Sequence, residues 1–194
     1  DIYPLDLSAL DKQRALFDHA QTMGGLQALA HCAAVLRRRS TVDEVTEEDW
    51  DFQLDTNLKS TFFLNRTARD VMKANGTKGA IVNFSSQGWW TGGFGGSVVY
   101  AASKGGIVSM TRGLARSFAP EGIRINAIAP GGVDTSMLTD GQSPEAMKAF
   151  MSMIPMGRLA EPKEISQAVV FLASSASSYM TGALLNISGG QLMY

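Results

Sequence analysis

Tyr100 and Lys104 stand four residues apart in the run Tyr100-Ala101-Ala102-Ser103-Lys104. On a helix that spacing puts both side chains on one face. A free phenol, with a pKa of about 10, is a poor base at neutral pH. A nearby ammonium favours the phenolate and lowers that value. Moving it to about 7 takes about 4 kcal/mol of differential stabilisation, at 1.36 kcal/mol per unit. One partly desolvated cation, helped by a second positive charge, has the right scale of effect. Such a pair could carry out acid–base chemistry. Alone, the spacing also fits a surface tyrosine beside a solvated lysine, so the elements that position the pair decide between the two readings.

Those elements alternate. Ile2 to Leu7, Leu26 to Ala30, Ala80 to Phe84, Ile123 to Ala129 and Ala183 to Ile187 read as strands, mostly unbroken apolar runs. Ser8-Ala9-Leu10-Asp11 and Thr46-Glu47-Glu48-Asp49 resemble capping boxes. They open helices expected to reach about Thr22 and Lys73. Val99 to Ala119 reads as a helix carrying the Tyr100–Lys104 face. Ser86 to Ser97 is a loop, Val133 to Pro155 is a long connection with some helix, and Pro162 suits the first turn of another helix. Strand–helix alternation implies an α/β, three-layer, Rossmann-like, doubly wound parallel sheet. Ligands of such sheets bind beyond the carboxyl ends of the strands. Ser85-Ser86, His31-Cys32 and Pro130-Gly131 all follow strands, so residues distant in sequence converge on one rim.

Composition narrows the alternatives. The 194 residues, 45% hydrophobic and 18% charged, suit one domain over the whole chain, 1–194, with a sizeable core. A net charge of −1 gives no electrostatic case for nucleic-acid binding. The basic run Arg37-Arg38-Arg39 reads as a solvated loop or subunit contact rather than a phosphate or substrate site. One cysteine, Cys32, excludes an internal disulfide framework and a cysteine-based zinc site, and two histidines argue against a histidine-rich metal site. No apolar run approaches a membrane span. The expected setting is cytoplasmic, with no metal, no membrane and no nucleic-acid partner.

The chain resembles the short-chain dehydrogenase/reductase family from Asp6 to about Gly190. Val82-Asn83-Phe84-Ser85-Ser86 resembles the strand ending in that family's catalytic serine, and Tyr100 to Lys104 its Tyr-x-x-x-Lys. Asp55-Thr56-Asn57-Leu58 resembles the helical segment carrying its asparagine. The run from Arg124 to Thr135 resembles its cofactor strand and loop, and Gly157-Arg158, Pro162, Thr181-Gly182 and Ser188-Gly189-Gly190 its C-terminal signature.

The resemblance implies an NAD- or NADP-dependent oxidoreductase that interconverts a secondary alcohol and a ketone by hydride transfer. Tyr100 would exchange the proton, and Lys104 would lower its pKa and hold the nicotinamide ribose. Ser86 would stabilise the oxyanion, with Ser85 as the alternative serine, and Asn57 would support a proton-relay water. Pro130, Gly131, Val133 and Thr135 would bind the nicotinamide end of the cofactor, and Thr135 also suits the cap of the next helix. Asp6 and Leu7 would lie against adenine, and Ala33 would contact the adenosine part. Gly88, Trp89, Trp90 and Met137 are candidate substrate contacts, although Trp89 and Trp90 also suit the core or an interface. Met147, Met151, Met153 and Met156 fall in the lid region and equally suit ordinary packing. A homo-oligomer, tetramer or dimer, is implied through the long helices near Asn57 and Tyr100 and the last strand.

Four departures accompany the likeness. His31-Cys32-Ala33-Ala34 replaces the usual Asn-Asn-Ala-Gly. Ser86 precedes Tyr100 by fourteen positions, one more than usual, which places an insertion between Gln87 and Val99. Ser188 stands where an acidic residue is usual. No Gly-rich dinucleotide fingerprint precedes a first strand, so the family's first two strands are lacking and the natural chain is expected to start earlier. The rival expectation is a catalytically silent dinucleotide-binding or scaffold member of the same family; a weaker one is a subunit that serves assembly alone. No nicotinamide binding at all would favour the scaffold reading.

Overall fold

The computed structural model describes residues 1–93 and 95–194. Phe94, inside the expected loop of residues 86–97, lies outside the described residues. Four strands form one parallel sheet in the order β1 (Ala28–His31), β2 (Ala80–Phe84), β3 (Arg124–Pro130) and β4 (Leu184–Ile187). Their register aligns His31 with Asn83, Phe84 with Ile128, and Pro130 with Ile187. The strand ends therefore form one rim, and Ser85, Gln87 and Gly131 extend the ladder past it through bonds to Ile128, Pro130 and Ile187.

Helices cover both faces. On one, α1 (Gln13–Thr22), α3 (Ser60–Ala74) and α5 (Val98–Phe118) bring Phe17, Leu64, Met72 and Phe118 onto Ile81, Ile123 and Ile125. On the other, α8 (Pro162–Ala173) packs Ile165 and Leu172 on Val82 and Ile128. This is the expected three-layer arrangement. The remaining helices are α2 (Glu47–Leu54), α4 (Gly88–Thr91), α6 (Ser136–Thr139) and α7 (Pro144–Ser152).

Local signals succeed where they are self-contained. Thr46 and Asp49 form the expected reciprocal cap of α2. Ser8 does not cap α1: the Asp6 carboxylate accepts hydrogen bonds from the backbone and hydroxyl of Ser8, and a 3₁₀ turn at Leu10–Lys12 precedes the helix. Ile2 to Leu7 is not a strand. A strand needs a partner edge, and none of the described strands pairs with this segment.

The expected continuous helix to Lys73 is interrupted at Asp55–Lys59 by a π turn, which seats Asn57 at its centre. Such a turn shifts side-chain phase by one residue, and it commonly marks functional positions. A second buried polar chain runs from Asn65 Nδ2 to Asn83 Oδ1 and from Asn83 Nδ2 to Thr111 Oγ1, both 3.1 Å, and binds α3, β2 and α5 together.

Candidate active site

A cleft of about 760 Å³ opens at the carboxyl ends of the strands. Ser86, Gly88, Tyr100, Lys104, Pro130, Gly131, Val133, Thr135 and Met137 line it, as the sequence led one to expect. Phe84, Leu138, Phe150, Ile165 and Val169 add apolar walls.

Ser85 and Ser86 have different tasks. Ser85 is buried, and its hydroxyl donates 2.9 Å to the Lys104 carbonyl, tying α5 to the end of β2. The Ser86 hydroxyl shares the cleft with Tyr100, is near enough to its phenol to act on its pKa, and accepts from the Gly88 backbone at 3.2 Å. Strand alternation sends the two in opposite directions. We expect Ser85→Ala to cost about 1 kcal/mol, the net worth of one buried hydrogen bond. Ser86→Ala should leave stability nearly unchanged and, on the oxyanion role that the family resemblance implies for Ser86, lower kcat roughly 100-fold. Denaturant titration and steady-state kinetics on both variants check this.

Tyr100 and Lys104 share a face of α5, with Lys104 Nζ 5.5 Å from the centre of the tyrosine ring. Their electrostatics differ from expectation. Lys104 is 2% exposed, and its ammonium donates 2.9 Å to the Phe84 carbonyl at the end of β2. Burial pushes its pKa down to about 8. Burial also pushes the Tyr100 phenol above its ordinary value, while the nearby Ser86 hydroxyl and the charge of Arg38 pull the other way. Lys104 therefore does not depress the Tyr100 pKa in the protein by itself. The ammonium is spent on a backbone carbonyl, and desolvation of the phenol dominates. His31, behind the rim, is buried and pushed down to about 4, first by burial and then by the Lys104 charge, so it is neutral at pH 7.

Asn57 is also placed differently. It is fully buried, but it does not line the cleft. Its Oδ1 accepts from Val35 N at 2.8 Å, and its Nδ2 donates to Val35 O at 2.9 Å and to Ser103 Oγ at 3.2 Å. The side chain thus clamps the segment that follows β1 onto α5. Both N–H donors of its amide are used in these bonds.

Other expected contacts fall outside the cleft. Asp6 and Ala33 are exposed, and Leu7 packs against the α1–α3 core; none of the three lines it. Trp89 and Trp90 do not wall it either. They meet each other at 5.2 Å between ring centres, and Tyr194 at 5.3 and 5.8 Å, because α4 turns this pair toward the C-terminal segment. Thr135 occupies the N-cap position of α6 without capping it; its hydroxyl leans toward Val133 O at 3.4 Å.

In the basic run Arg38 and Arg39 are exposed, as expected of a solvated loop, but Arg37 and Arg39 are also paired with acids of α2. Arg37 pairs with Glu48 and Asp49, and Arg39 grips Asp49 through Nε and Nη2 at 2.7 and 2.8 Å. The Asp49 side chain is 1% exposed, and these partners hold its carboxyl well below the usual carboxylate range. Arg38 points the other way and lines the cleft. The sequence signal for it was the middle position of three consecutive arginines, whose neighbours have a buried acid to serve.

A parallel α/β sheet with serine, tyrosine and lysine converging beyond its carboxyl ends is the layout of a Rossmann-like oxidoreductase. A family profile described as Enoyl-(Acyl carrier protein) reductase matches residues 1–191. The chain is 36% identical, over 98% of its length, to a protein of Oryza sativa subsp. japonica named Glucose and ribitol dehydrogenase homolog. It is 36% identical over 98% to a 3-oxoacyl-(acyl-carrier-protein) reductase FabG of Thermotoga maritima, and 34% identical over its whole length to an acetoacetyl-CoA reductase of Allochromatium vinosum. It spans 65%, 76% and 77% of the lengths of these relatives. The chain belongs to the short-chain dehydrogenase/reductase family, a family of oxidoreductase enzymes.

Proposed function

We propose that the protein is an NAD- or NADP-dependent oxidoreductase that interconverts a secondary alcohol and a ketone. The observation that carries this reading is Ser86, Tyr100 and Lys104 brought together on the wall of one mostly apolar cleft, with the Lys104 ammonium buried 5.5 Å from the centre of the tyrosine ring. Relatives named 3-oxoacyl-(acyl-carrier-protein) reductase and (3R)-3-hydroxyacyl-CoA dehydrogenase support a carbon that alternates between carbonyl and hydroxyl.

The described residues suit the nicotinamide end of the cofactor. Pro130, Gly131, Val133 and Thr135 form one wall of the cleft beside Lys104, whose ammonium would hold the ribose hydroxyls. A bound nicotinamide would supply or take up the hydride. Tyr100, protonated in the free protein, would give its proton to the substrate oxygen during reduction. Ser86 would donate a hydrogen bond to that oxygen as negative charge develops, and the apolar walls would keep water away.

Homo-oligomerisation is supported by a groove of about 560 Å³ where Leu58, Phe62 and Phe63 face Gly106 and Met110. The proposed setting is the reducing cytoplasm, in keeping with the single cysteine of the chain. Incubating the protein with reduced nicotinamide cofactor and a panel of ketones tests the reading: cofactor oxidation is expected. Cofactor binding without turnover across the panel would favour a silent member of the family.

A pH dependence follows from Lys104. Its native pKa of about 8 lies below its ordinary 10.5. Between those values the unfolded state binds more protons than the native state, so stability rises with pH across that window. The ammonium itself is lost as pH rises through about 8. Affinity of the free protein for nicotinamide cofactor is therefore expected to fall several-fold across the same range. Fluorescence titration at a series of pH values measures it, and constant affinity would remove Lys104 from cofactor binding.

A further inference from the structure

The cleft carries a cation that the proposed chemistry leaves unused. Arg38 lines it, and no carboxylate partners its guanidinium among the described residues; its hydrogen bond is Nη2 to the Met137 carbonyl, 2.6 Å, on α6. The contrast with its neighbours is sharp, because Arg37 and Arg39 are both consumed by acids of α2. No aspartate or glutamate lines the cleft among the described residues. The remaining lining is mostly apolar, with Leu36, Phe84, Met137, Leu138 and Phe150 around the reacting groups. Arg38 is also near enough for its charge to act on the Tyr100 phenol.

Arg38 is exposed where it lines this mostly apolar cleft, and an uncompensated guanidinium with several free N–H donors there is matched by an anionic group on an apolar molecule. Resting on the oxidoreductase reading above, we propose that Arg38 is a specificity residue for the carboxylate of an apolar hydroxy or keto acid, whose reacting carbon sits at Ser86 and Tyr100. Seating the carboxylate there would also engage α6, since the same guanidinium already holds the Met137 carbonyl.

The test compares medium-chain oxo acids with their methyl esters, which keep the chain and lose the charge. Steady-state kinetics with saturating reduced cofactor give the ratio of kcat/KM for acid over ester, and calorimetric titration gives the corresponding ratio of affinities. The native protein is expected to favour the acid roughly tenfold to a hundredfold, the scale of a hydrogen bond to a charged group. Arg38→Met should bring both ratios close to one, and Arg38→Lys should keep part of the preference. Using ratios cancels any general disturbance of α6. Equal affinity for acid and ester in the native protein, or an Arg38→Met variant with an undiminished ratio, would overturn the proposal. If no ketone is reduced, the oxidoreductase reading fails, and the calorimetric ratio still decides the role of Arg38.

Discussion

Tyr100→Phe is expected to lower kcat/KM roughly 1,000-fold, within the range that positioned general acids contribute. The substitution removes one oxygen and keeps the ring, so the contact between Lys104 and the ring face survives. The other donors of the cleft are less suited to supply the lost proton: the Lys104 ammonium donates to the Phe84 carbonyl, and burial raises the pKa of the Cys32 thiol. Cofactor affinity and melting temperature should stay close to native, since the phenol carries no structural hydrogen bond to the backbone. Initial rates with ketone and reduced cofactor, alongside a cofactor titration, check this. More than a tenth of native activity in Tyr100→Phe would sink the assignment.

The raised pKa of Tyr100 also sets a direction. In the free protein the phenol is an acid, suited to protonating a reduced ketone. Working as a base for alcohol oxidation requires a phenolate, and neither Lys104 nor Arg38 supplies enough stabilisation to overcome burial. A second positive charge, such as an oxidised nicotinamide ring, has the right sign. The alcohol-oxidising direction is thus expected to have the higher pH optimum of the two.

Asn57→Ala is expected to destabilise the protein by about 3 kcal/mol, from the loss of partners for two partly buried backbone groups at about 1–3 kcal/mol each. Both groups belong to Val35, which the amide grips through its N–H and its carbonyl. For a chain of this size that corresponds to a fall of roughly 6–12 °C in melting temperature. Activity should fall too, because Ala34, Leu36 and Arg38 on either side of Val35 line the cleft. Ser103→Ala removes the third, weaker partner at 3.2 Å and should cost far less. Thermal melts of the two variants separate a clamp from a proton relay. A relay residue would lose activity and alter the solvent isotope effect at unchanged melting temperature.

Several parts of this protein are determined within short stretches of its sequence. β2 is bounded as its apolar run dictates, at Ala80–Phe84, because both faces of that strand are buried and every position must be apolar or internally bonded. The Thr46–Asp49 cap needs only four residues. The Tyr100–Lys104 juxtaposition needs only helical periodicity, and placing Ser86 near it needs only the rule that parallel sheets gather their strand ends on one rim.

Other features are set by partners that no local pattern contains. Ile2 to Leu7 has strand composition, yet pairing belongs to two segments and no described strand meets it. The π turn under Asn57, and the capture of its amide by Val35, depend on where the segment after β1 crosses α5. Trp89 and Trp90 closely follow Ser86 in sequence, but their direction is set by packing on Tyr194. Arg38 is separated from two indistinguishable neighbours by the position of Asp49. The Tyr100–Lys104 spacing, finally, determined that the two side chains meet, while the sign of the tyrosine's pKa shift waited on the tertiary structure. Proximity follows from helix geometry over four residues. The balance of desolvation against charge depends on everything packed around the pair, including the Phe84 carbonyl that holds the lysine.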